Sequence, residues 1–492
     1  MSEALGTGAR KGLDPSILRE YDIRGVVGPR LNEGDARAIG LGFAALLREK
    51  TGPEKPRIVV GRDGRLSSPT LEQALVAGLS AGGVDVVRIG LSSTPMLYYA
   101  EAALRSGEFG RPGELPSTQP VQGGIQVTGS HNPKDHNGFK IVLGGLPFFG
   151  EDLQRLNGVI IALPETPEGA INPGAIAEID ILPAYIDRLL RDLSGLDQAE
   201  LGRLRIGWDA GNGAAGPAIE ALTARLPGEH HLLFTQVDGH FPHHHPDPTV
   251  ETNLADLRDL VLSKRLDFGV AFDGDADRVG LIDGQGRVVW GDRILAILAQ
   301  DLLKRLPGAE ILADVKSSQA LFDHVAACGG RPSLWKTGHS HIKSRMKATA
   351  APLAGEMTGH IFFAEDWYGF DDGLLAALRL MAASLRLGQS IADLASALPQ
   401  TAATPELRIT VAGEARPLDL VATVRQAVEA EGLVMNPIDG IRVTSDDGWW
   451  LLRASNTEAK LSARAEGRDA MALKRVMTDL EARLAAVGVS LG

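Results

Sequence analysis

The sequence predicts an α/β protein built from several related domains with mixed sheets. Three segments share one plan, in which an apolar strand precedes a loop rich in Gly, Asp or Ser and then an amphipathic helix; they are residues 57–79, 204–226 and 310–330. Further strand-like runs lie between them, at 84–89 and 267–272. Strands that alternate with helices at this spacing indicate βαβ units. Because the plan recurs after about 150 and then about 105 residues, we expect three related α/β domains.

The last part of the chain follows a different order. A helical stretch at 373–387 and a linker at 399–405 precede it. The elements predicted after the linker are a strand at 407–411, a helix at 418–431, strands at 440–443, 448–454 and 459–465, and a helix near 471–486. This order predicts a smaller α+β domain. The predicted domains are therefore residues 1–175, 176–286, 287–399 and 400–492.

Composition limits the class of protein. The 492 residues are 44% hydrophobic and 23% charged, which is ordinary for a globular protein. The single cysteine, Cys328, excludes a disulfide framework and fits a reducing cytoplasm. Residues 1–19 lack an apolar core of signal-peptide length, and no run approaches the roughly 18 apolar residues of a membrane span. We expect a cytoplasmic protein with no membrane partner, either a monomer or a small homo-oligomer.

The charge balance bears on the ligands. The net charge of −12 argues against a nucleic-acid partner. An anionic substrate would have to be attracted by a local basic patch, because the overall field of the protein repels it.

A polar loop at 128–133 reads Thr-Gly-Ser-His-Asn-Pro and lies between two apolar, strand-like runs. Gly129 gives the backbone freedom before the serine, and Pro133 makes the loop rigid after it. Ser130 at the tip, with His131 and Lys140 close in sequence, is placed to carry a covalent group. For the loop alone, an ordinary Asn-Pro turn whose serine bonds only its own backbone is an equal alternative.

A second loop carries three carboxylates at alternate positions, Asp273, Asp275 and Asp277, directly after the apolar run 268–272. Such carboxylates converge on one point and suit a hard divalent cation. An EF-hand is excluded, because its sixth and twelfth positions hold Arg and Gly here. A solvated acidic turn is the alternative, but three carboxylates this close repel one another, which favours a bound cation.

With these two loops, the chain resembles the α-D-phosphohexomutase superfamily. That superfamily has a phosphoserine loop T-G-S-H-N-P, a metal loop D-G-D-x-D-R, a sugar loop G-E-x-x-G-H and a phosphate loop R-x-S-N-T-E. All four occur here in the same order, at 128–133, 273–278, 355–360 and 453–458, and the entry motif Tyr-Asp-Ile-Arg-Gly at 21–25 is similar too. The resemblance spans about residue 19 to about 468 and is strongest to the bacterial phosphomannomutase/phosphoglucomutase branch. It implies three related α/β domains and a smaller C-terminal domain around a central cleft.

The resemblance implies catalytic roles. Ser130 would carry the phosphoryl group, and Ser130 with the three carboxylates would hold Mg²⁺. Lys140 and His360 would transfer protons, although a lysine within a strand usually lies on a solvated face. Arg278 would add donors toward the phosphoryl group or balance the carboxylates, and His131 would order the loop.

The resemblance also implies ligand contacts. Glu356 and Thr358 would bind sugar hydroxyls. Tyr21, Arg24, Lys316 and His339 are further substrate contacts; a surface salt bridge is the alternative for Tyr21 and Arg24. A phosphate that stays on the sugar would bind Arg453, Ser455, Asn456 and Thr457, with help from Arg442, although an Asn-centred turn would be the reading of that loop alone.

Two patterns are discounted. The run of three histidines at 243–245 invites a zinc site, but contiguous histidines cannot all face one ion, and we interpret the run as a structural loop. Residues 211–216 satisfy G-x-G-x-x-G, and Asp238 ends a strand-like run at 232–237, as in a dinucleotide site. Since the four loops offer a sugar-phosphate site instead, we interpret 211–216 as a tight strand-to-helix turn.

The expected function is interconversion of hexose 6-phosphate and hexose 1-phosphate, with mannose and glucose as the sugars. Phosphoserine and a hexose 1,6-bisphosphate would be intermediates, and the bisphosphate would also serve as activator. A phosphoglucosamine mutase is the alternative within this enzyme class. A catalytically silent sugar-phosphate-binding protein is the alternative outside it.

Overall fold

The computed structural model describes residues 12–51, 55–108, 120–164, 172–411, 416–454 and 460–491. The chain forms two compact units. The first comprises Met1–Val288 and Phe370–Leu385, and the second comprises Val289–Gly369 and Arg386–Gly492. Each unit contains two mixed or antiparallel sheets with helices packed on them. The prediction of a multi-domain α/β fold with mixed sheets is confirmed.

The first sheet of the first unit has the strand order β1-β5-β4-β2-β3-β7, with β6 paired to β5. Its strands are β1 Ile23–Val26, β2 Arg57–Arg62, β3 Asp85–Leu91, β4 Gly123–Val127, β5 His136–Leu143, β6 Leu146–Pro147 and β7 Ile176–Glu178. The helices are α1 Glu33–Thr51, α2 Ser68–Ala81, α3 Thr94–Ser106, α4 Glu151–Ala162 and α5 Leu182–Arg191, and a 3₁₀ helix covers Pro15–Ile17.

The mixed character of this sheet decides which loops become neighbours. β2 is parallel to both β3 and β4, whereas β5 is antiparallel to β1 and β4. The apolar side chains Ile58, Val60, Ile125 and Phe139 are fully buried in one core with side chains of α1, α2 and α4. Parallel strands end at the same edge of a sheet, so the loops after β2 and β4 lie side by side.

The second sheet has the order β12-β11-β10-β8-β9. Its elements are α6 Gln198–Leu201, β8 Arg205–Asp209, α7 Gly216–Thr223, β9 Glu229–Leu233, a 3₁₀ helix Glu251–Leu254, α8 Ala255–Lys264, β10 Phe268–Phe272, β11 Val279–Asp283 and β12 Val288–Val289. β10 is parallel to β8 and antiparallel to β11. The acidic loop therefore connects two adjacent antiparallel strands.

The predicted strand at 232–237 is wrong beyond Leu233. Phe234 has a left-handed backbone (φ 52°), and its carbonyl accepts from the amide of Asn212 at 2.9 Å. Its ring stacks on that of His243, with the centroids 3.9 Å apart. This turn ends β9 at Leu233, so residues 234–237 are not part of a strand and Asp238 lies in a loop. Asp238 therefore does not stand at the end of a strand, as the acidic residue of a dinucleotide site would.

In the second unit, the third sheet contains the order β14-β13-β15-β16. Its elements are α9 Gly291–Arg305, β13 Glu310–Asp314, α10 Gln319–Ala327, β14 Arg331–Trp335, α11 His339–Thr349, β15 Leu353–Gly355 and β16 Ile361–Phe363. β13 is parallel to its neighbours β14 and β15. The segment that follows, with β17 Phe370–Asp371 and most of α12 Gly373–Leu387, belongs to the first unit.

The fourth sheet is antiparallel, with the order β18-β23-β22-β21-β20 and β19 also paired to β23. Its elements are α13 Ile391–Ala397, β18 Ala402–Ala403, β19 Leu407–Thr410, α14 Pro417–Ala430, β20 Met435–Asn436, β21 Ile441–Ser445, β22 Gly448–Ala454, β23 Lys460–Gly467 and α15 Ala470–Ala486. The predicted α+β order is confirmed. The predicted linker at 399–405 needs correction, because Ala402 pairs with Gly467 and so joins the sheet.

Among the helices of the described residues, none is by itself long and apolar enough to cross a membrane. One bent pair, Gly373–Leu387 with Ile391–Ala397, meets the test of length and composition. Residues 373–383 of this pair are all buried, as in a core helix of a folded domain.

Candidate active site

The serine loop joins β4 to β5 and fixes one hydroxyl in place. Ser130 is 1% exposed and has a left-handed backbone with φ 48°. Its Oγ donates to Asp273 Oδ2 at 2.8 Å and lies 3.1 Å from Nδ1 of His131. Its amide donates to Thr128 Oγ1 at 2.8 Å. The structure therefore brings Ser130 directly against the acidic loop, 143 residues further along the chain.

The three carboxylates of the acidic loop are fully buried and lie together. Oxygens of Asp273, Asp275 and Asp277 lie within 4.8 Å of one another. Burial and the two neighbouring carboxylates raise the pKa of Asp273 well above its usual value. Burial also acts to raise the pKa of Asp275, but the Lys140 ammonium outweighs it and the pKa of Asp275 is lowered. The loop thus concentrates negative charge that needs a cation.

Lys140 supplies part of that positive charge. It lies in β5 with only 3% of its surface exposed, so the usual solvated position of a strand lysine does not apply. Its Nζ donates to Asp275 Oδ2 at 2.7 Å and also to Asp277 Oδ2. Burial opposes the charged form, but the carboxylates prevail and raise the pKa of Lys140. The carboxylates therefore hold the lysine as an ammonium.

The oxygens of this cluster fit a hard divalent cation. Asp275 Oδ1 is buried and has no hydrogen-bond partner, whereas Asp275 Oδ2 accepts from Thr94 Oγ1 at 2.6 Å as well as from Lys140. A buried carboxylate oxygen without a donor is costly unless an ion contacts it. Three carboxylates and the Ser130 hydroxyl make an all-oxygen donor set, which is the set that Mg²⁺ takes.

Arg278 and His131 flank the cluster. The amide of Arg278 donates to Asp273 Oδ1 at 3.2 Å, and its guanidinium lies 3.5 Å from Nε2 of His131. Burial, followed by the charges of Arg278 and Arg24, lowers the pKa of His131 well below its usual value. His131 is therefore a neutral imidazole beside the serine, and its carbonyl accepts from His245 Nε2 at 2.5 Å.

The entry motif reaches the same loop. Arg24 lies in β1, which pairs with β5, and its NH1 donates to Asn132 Oδ1 at 2.7 Å. The other terminal nitrogen pairs with Asp22. Arg24 therefore forms an ion pair, but this pair is largely buried and is not the surface salt bridge that we considered as the alternative, and Arg24 also contacts the serine loop. Tyr21 precedes this pair and is half-buried.

In the second unit, the sugar loop lies between β15 and β16. Glu356 is 2% exposed, and its Oε1 accepts from the amide of Gly338 at 2.5 Å. Burial raises the pKa of Glu356. The buried rings of His339 and His360 stack with their centroids 5.5 Å apart, and Thr358 is half-buried in the same loop. Four predicted residues of this unit are thus brought together.

Lys316 and Arg453 belong to the same unit, and both are buried. Lys316 Nζ lies 3.6 Å from Glu406 Oε2. Arg453 lies near the end of β22, and its Nε lies 3.2 Å from Asp439 Oδ2. Asp439 also accepts from the amide of Thr337 at 3.1 Å, which ties this strand end to the segment before α11. The other predicted phosphate ligands, Ser455, Asn456 and Thr457, lie outside the described residues.

Arg442 lies in β21 and is buried. Its guanidinium donates to the carbonyls of Val315 and Ser317, at 2.8 and 2.9 Å, and stacks on Trp449 at 3.8 Å. Its donors therefore anchor the fourth sheet to the loop that carries Lys316. The expected help to the phosphate loop stays a prediction, because residues 455–459 lie outside the described part of the chain.

The three histidines at 243–245 have different partners, as a structural loop requires. His243 Nδ1 contacts Asn212, His244 Nε2 contacts Asp209, and His245 contacts the serine loop. Residues 211–216 form the turn between β8 and α7, and Gly211 there has φ 53°. Both observations agree with the interpretation made from the sequence.

Sequence reasoning missed Asp63, Arg65 and Thr94. Asp63 and Arg65 follow β2 and contact the serine loop, whereas Thr94 opens α3 and contacts the acidic loop. The run Gly-Arg-Asp-Gly-Arg at 61–65 resembles other charged strand-to-helix loops. Only the pairing of β2 with β4 in the sheet places their carboxyl ends together, so the sequence alone gave no signal for Asp63 and Arg65. Thr94 had no local signal.

Comparison with known proteins agrees with this arrangement. Four models of the phosphoglucomutase/phosphomannomutase family match the chain: α/β/α domain I at 15–163, α/β/α domain II at 183–286, α/β/α domain III at 290–402 and the C-terminal domain at 406–483. Together they cover most of the chain.

Individual relatives match over nearly their whole length. The chain is 40% identical to phosphomannomutase/phosphoglucomutase of Pseudomonas aeruginosa over 487 residues, 99% of both chains. It is 40% identical to phosphoglucomutase of Neisseria gonorrhoeae over 468 residues, 95% of this chain and 96% of the relative. A crystal structure of a phosphoglucomutase/phosphomannomutase family protein from Burkholderia thailandensis superimposes with a TM-score of 0.86 at 39% identity, covering 96% of this chain and 98% of that one. The chain therefore belongs to the phosphoglucomutase/phosphomannomutase family, within the bacterial branch of the α-D-phosphohexomutase superfamily.

Proposed function

We propose that the protein is a phosphohexomutase that interconverts hexose 6-phosphate and hexose 1-phosphate, with mannose and glucose as the sugars. The observation that carries this proposal is the buried Ser130 hydroxyl, 2.8 Å from Asp273 within a cluster of three carboxylates and one ammonium. Relatives about 40% identical over nearly the whole chain carry phosphomannomutase and phosphoglucomutase names. A serine so placed suits phosphoryl transfer, which depends on position and charge more than on a strong base.

Ser130 is the proposed phosphoryl carrier. The bond between phosphorus and Ser130 Oγ breaks as a free sugar hydroxyl forms its own bond to phosphorus, which gives a hexose 1,6-bisphosphate. The other phosphate of this intermediate then returns to Ser130. Asp273, Asp275, Asp277 and Ser130 would hold Mg²⁺, which supplies positive charge to the phosphoryl oxygens when bound. We propose that free hexose 1,6-bisphosphate activates the enzyme by phosphorylating Ser130.

Proton transfer accompanies each bond change. Lys140, which is hydrogen-bonded to Asp275 in the cluster, is the proposed proton donor to the oxygen that loses the phosphoryl group, as the family resemblance implies. His360, buried beside His339, is the proposed acceptor from the sugar hydroxyl. Arg278 would stabilise charge on the phosphoryl group.

We propose that most contacts to the sugar come from the second unit. Glu356 would accept hydrogen bonds from sugar hydroxyls, Thr358 would form a further hydrogen bond with a hydroxyl, and Lys316 and His339 would contact the ligand beside them. Arg453, Ser455, Asn456 and Thr457 would bind the phosphate that stays on the sugar, in both orientations of the substrate. Tyr21 and Arg24 of the first unit are further proposed contacts.

Four domains, at residues 1–175, 176–286, 287–399 and 400–492, remain our proposal for the organisation of the chain, and the four family-model matches support it. We also propose a cytoplasmic protein, a monomer or small homo-oligomer, without a nucleic-acid or membrane partner. The net charge of −12 supports the absence of nucleic acid.

A coupled assay tests the activity. Mannose 1-phosphate, glucose 1-phosphate and glucosamine 1-phosphate are supplied separately, with hexose 1,6-bisphosphate and Mg²⁺. We expect turnover of the first two. Preferential use of glucosamine 1-phosphate would indicate the phosphoglucosamine mutase, and binding without any turnover would indicate a silent binding protein.

Intact-protein mass spectrometry tests the carrier. After incubation with the bisphosphate, wild type should gain one phosphate and Ser130→Ala should gain none and lose turnover. Ser390→Ala is the control, since that hydroxyl caps α13 and bonds Asp393. Wild-type activity in Ser130→Ala would refute the covalent mechanism.

A further inference from the structure

Two parallel strands of the first sheet deliver Arg65 to the serine loop. β2 and β4 are neighbours, with Arg62 opposite Val127 at their carboxyl ends. Beyond this pair, the amide of Asp63 donates to the carbonyl of Val127 at 2.9 Å. The turn after β2 therefore lies directly against the loop that carries Ser130.

The guanidinium of Arg65 donates to four backbone carbonyls of the serine loop and of the segment that follows it. One terminal nitrogen donates to Ser130 and Asn132, at 2.6 Å in each case. The other donates to Pro133 at 2.6 Å and to His136 at 2.9 Å. The side chain is 1% exposed, so these charge-assisted hydrogen bonds do not compete with water.

The carboxylate of Asp63 holds the other side of the loop. Its Oδ2 accepts from Thr128 Oγ1 at 2.9 Å and from the amide of Gly129 at 3.0 Å. Thr128 Oγ1 in turn accepts from the amide of Ser130 at 2.8 Å. The amide of Ser130 is thus connected through Thr128 to Asp63, and its carbonyl is bonded to Arg65.

The contacts of Asp63 and Arg65 surround a residue with an unfavourable backbone conformation. Ser130 is in the left-handed region, which costs a residue with a Cβ roughly 1–2 kcal/mol. Gly129 is needed beside it, because a Cβ on that residue would overlap the guanidinium of Arg65. The conformation that aims Ser130 Oγ at Asp273 is therefore unfavourable locally and depends on contacts from outside the loop.

We propose that Arg65, supported by Asp63, is a positioning residue that holds Ser130 in its left-handed conformation for phosphoryl transfer. Arg65 reaches the backbone of the loop and not the Ser130 hydroxyl, so it acts through the serine and not on the substrate. This inference rests on the proposed function, in which Ser130 carries the phosphoryl group.

The variant Arg65→Lys tests this proposal, because lysine keeps the positive charge but lacks the planar guanidinium that donates to four carbonyls through two nitrogens. Arg88→Lys is the matched control: Arg88 bonds the buried Glu72 through two nitrogens, in the same sheet but away from the serine loop. The measurements are kcat and KM for both sugar phosphates, the rate of phosphate uptake from hexose 1,6-bisphosphate, and hydrogen exchange of the amides at 128–136.

For Arg65→Lys we expect kcat and the rate of phosphate uptake to fall about 10- to 100-fold, as a displacement of about 1 Å at a reacting atom produces, with KM changed less than about threefold. Exchange of the loop amides should become faster. Arg88→Lys should change neither kcat nor loop exchange, even where it lowers thermal stability. Wild-type kcat in Arg65→Lys, or unchanged loop exchange, would overturn the proposal.

If Arg65→Lys does not fold, Thr128→Val gives the test, since it removes the hydroxyl that links Ser130 to Asp63 and keeps the shape. The same loss of kcat with faster loop exchange is expected, and a wild-type result there overturns the proposal. Loop exchange does not depend on activity. A wild type that takes up no phosphate while Arg65→Lys still loosens the loop would refute the proposed function and leave the positioning role.

Discussion

Replacing Lys140 by Met should destabilise the protein strongly in the absence of Mg²⁺. The ammonium lies 2.7 Å from Asp275 Oδ2 and also contacts Asp277, and all three side chains are buried. Met has a similar length but no charge, so the variant leaves buried carboxylates without their cation.

The size of the effect follows from the geometry. At 2.7 Å, one pair of charges attracts by about 6 kcal/mol at an effective dielectric constant of 20. Relief of the cost of burying the ammonium offsets part of this loss, and breaking a buried ion pair usually costs about 3–5 kcal/mol. For a domain of about 150–250 residues, such a loss of unfolding free energy corresponds to a fall in Tm of about 6–20 °C.

The pH dependence has a defined sign. The folded-state pKa of Lys140 is raised above its usual 10.5, so its contribution is fully present at lower pH and is lost only as pH rises through the folded value. In Lys140→Met, protons replace the missing ammonium on the carboxylates, whose pKa values rise. The destabilisation should therefore be larger at pH 8 than at pH 5.

Urea unfolding in EDTA measures this effect, and titration with Mg²⁺ measures its consequence. Because the variant lacks a positive charge beside the cation site, Mg²⁺ should bind it at least about tenfold more tightly, a difference of about 1.4 kcal/mol. The double variant Lys140→Met/Asp275→Asn is the control, and it should recover part of the loss, with a coupling of about 1–3 kcal/mol. An unfolding free energy within about 1 kcal/mol of wild type at pH 8, or an unchanged Mg²⁺ affinity, would refute the reasoning.

Three further predictions concern the ligand contacts and a buried acid. Arg453→Ala should raise KM about 10- to 100-fold for both the 1-phosphate and the 6-phosphate, because a charge-assisted contact worth roughly 1.5–3 kcal/mol is lost; an effect on one substrate alone would contradict a single phosphate site. Glucose and mannose phosphates should have kcat/KM values within about two decades of each other, and Glu356→Ala should lower both alike. Galactose 1-phosphate should react far more slowly, since a misplaced hydroxyl leaves buried partners unpaired. Robust activity on galactose 1-phosphate would refute the proposed role of Glu356. Burial raises the pKa of Asp372 from 3.8 to about 7, so its neutral carboxyl favours the folded state at low pH, and up to about 4 kcal/mol of stability is lost as pH rises through that interval. Asp372→Asn should remove this slope in urea midpoints at pH 5 and pH 8, and an unchanged slope would assign the titration to another group.

Local sequence determined most of the secondary structure. The helix expected at 373–387 and the strand expected at 448–454 have those bounds in the structure. Apolar periodicity and the adjoining loop residues are local properties, so they are readable without knowing the partners of a segment. Phe234 shows the limit, because its left-handed backbone occurs together with a ring stack on His243 and a hydrogen bond from Asn212, both of which lie outside the segment 232–237.

The candidate site was readable only in part, for a related reason. Ser130 and the three carboxylates stand in loops whose composition is unusual on its own. The sequence of β5 does not show that Lys140 is buried, since the carboxylates that contact its ammonium lie more than 130 residues away. Arg65 likewise needed the pairing of β2 with β4, which depends on the sheet order and not on either strand alone.

The distribution of these residues predicts how variants should divide kinetically. The proposed phosphoryl carrier, the proposed cation ligands and Arg65 all belong to the first unit, whereas Glu356 and Arg453 belong to the second. Ser130 and the carboxylates would act on a phosphoryl group that is common to every sugar substrate, and Arg65 would act through Ser130. Variants of this set should therefore lower kcat by similar factors for glucose and mannose phosphates. Under the proposed function, the second set would contact the sugar and the phosphate that stays on it, so its variants should act mainly on KM and on the choice between C4 epimers. A variant of Ser130, of the three carboxylates or of Arg65 that altered sugar preference would contradict this division, because a residue that acts only on the phosphoryl group has no means of distinguishing one hexose from another.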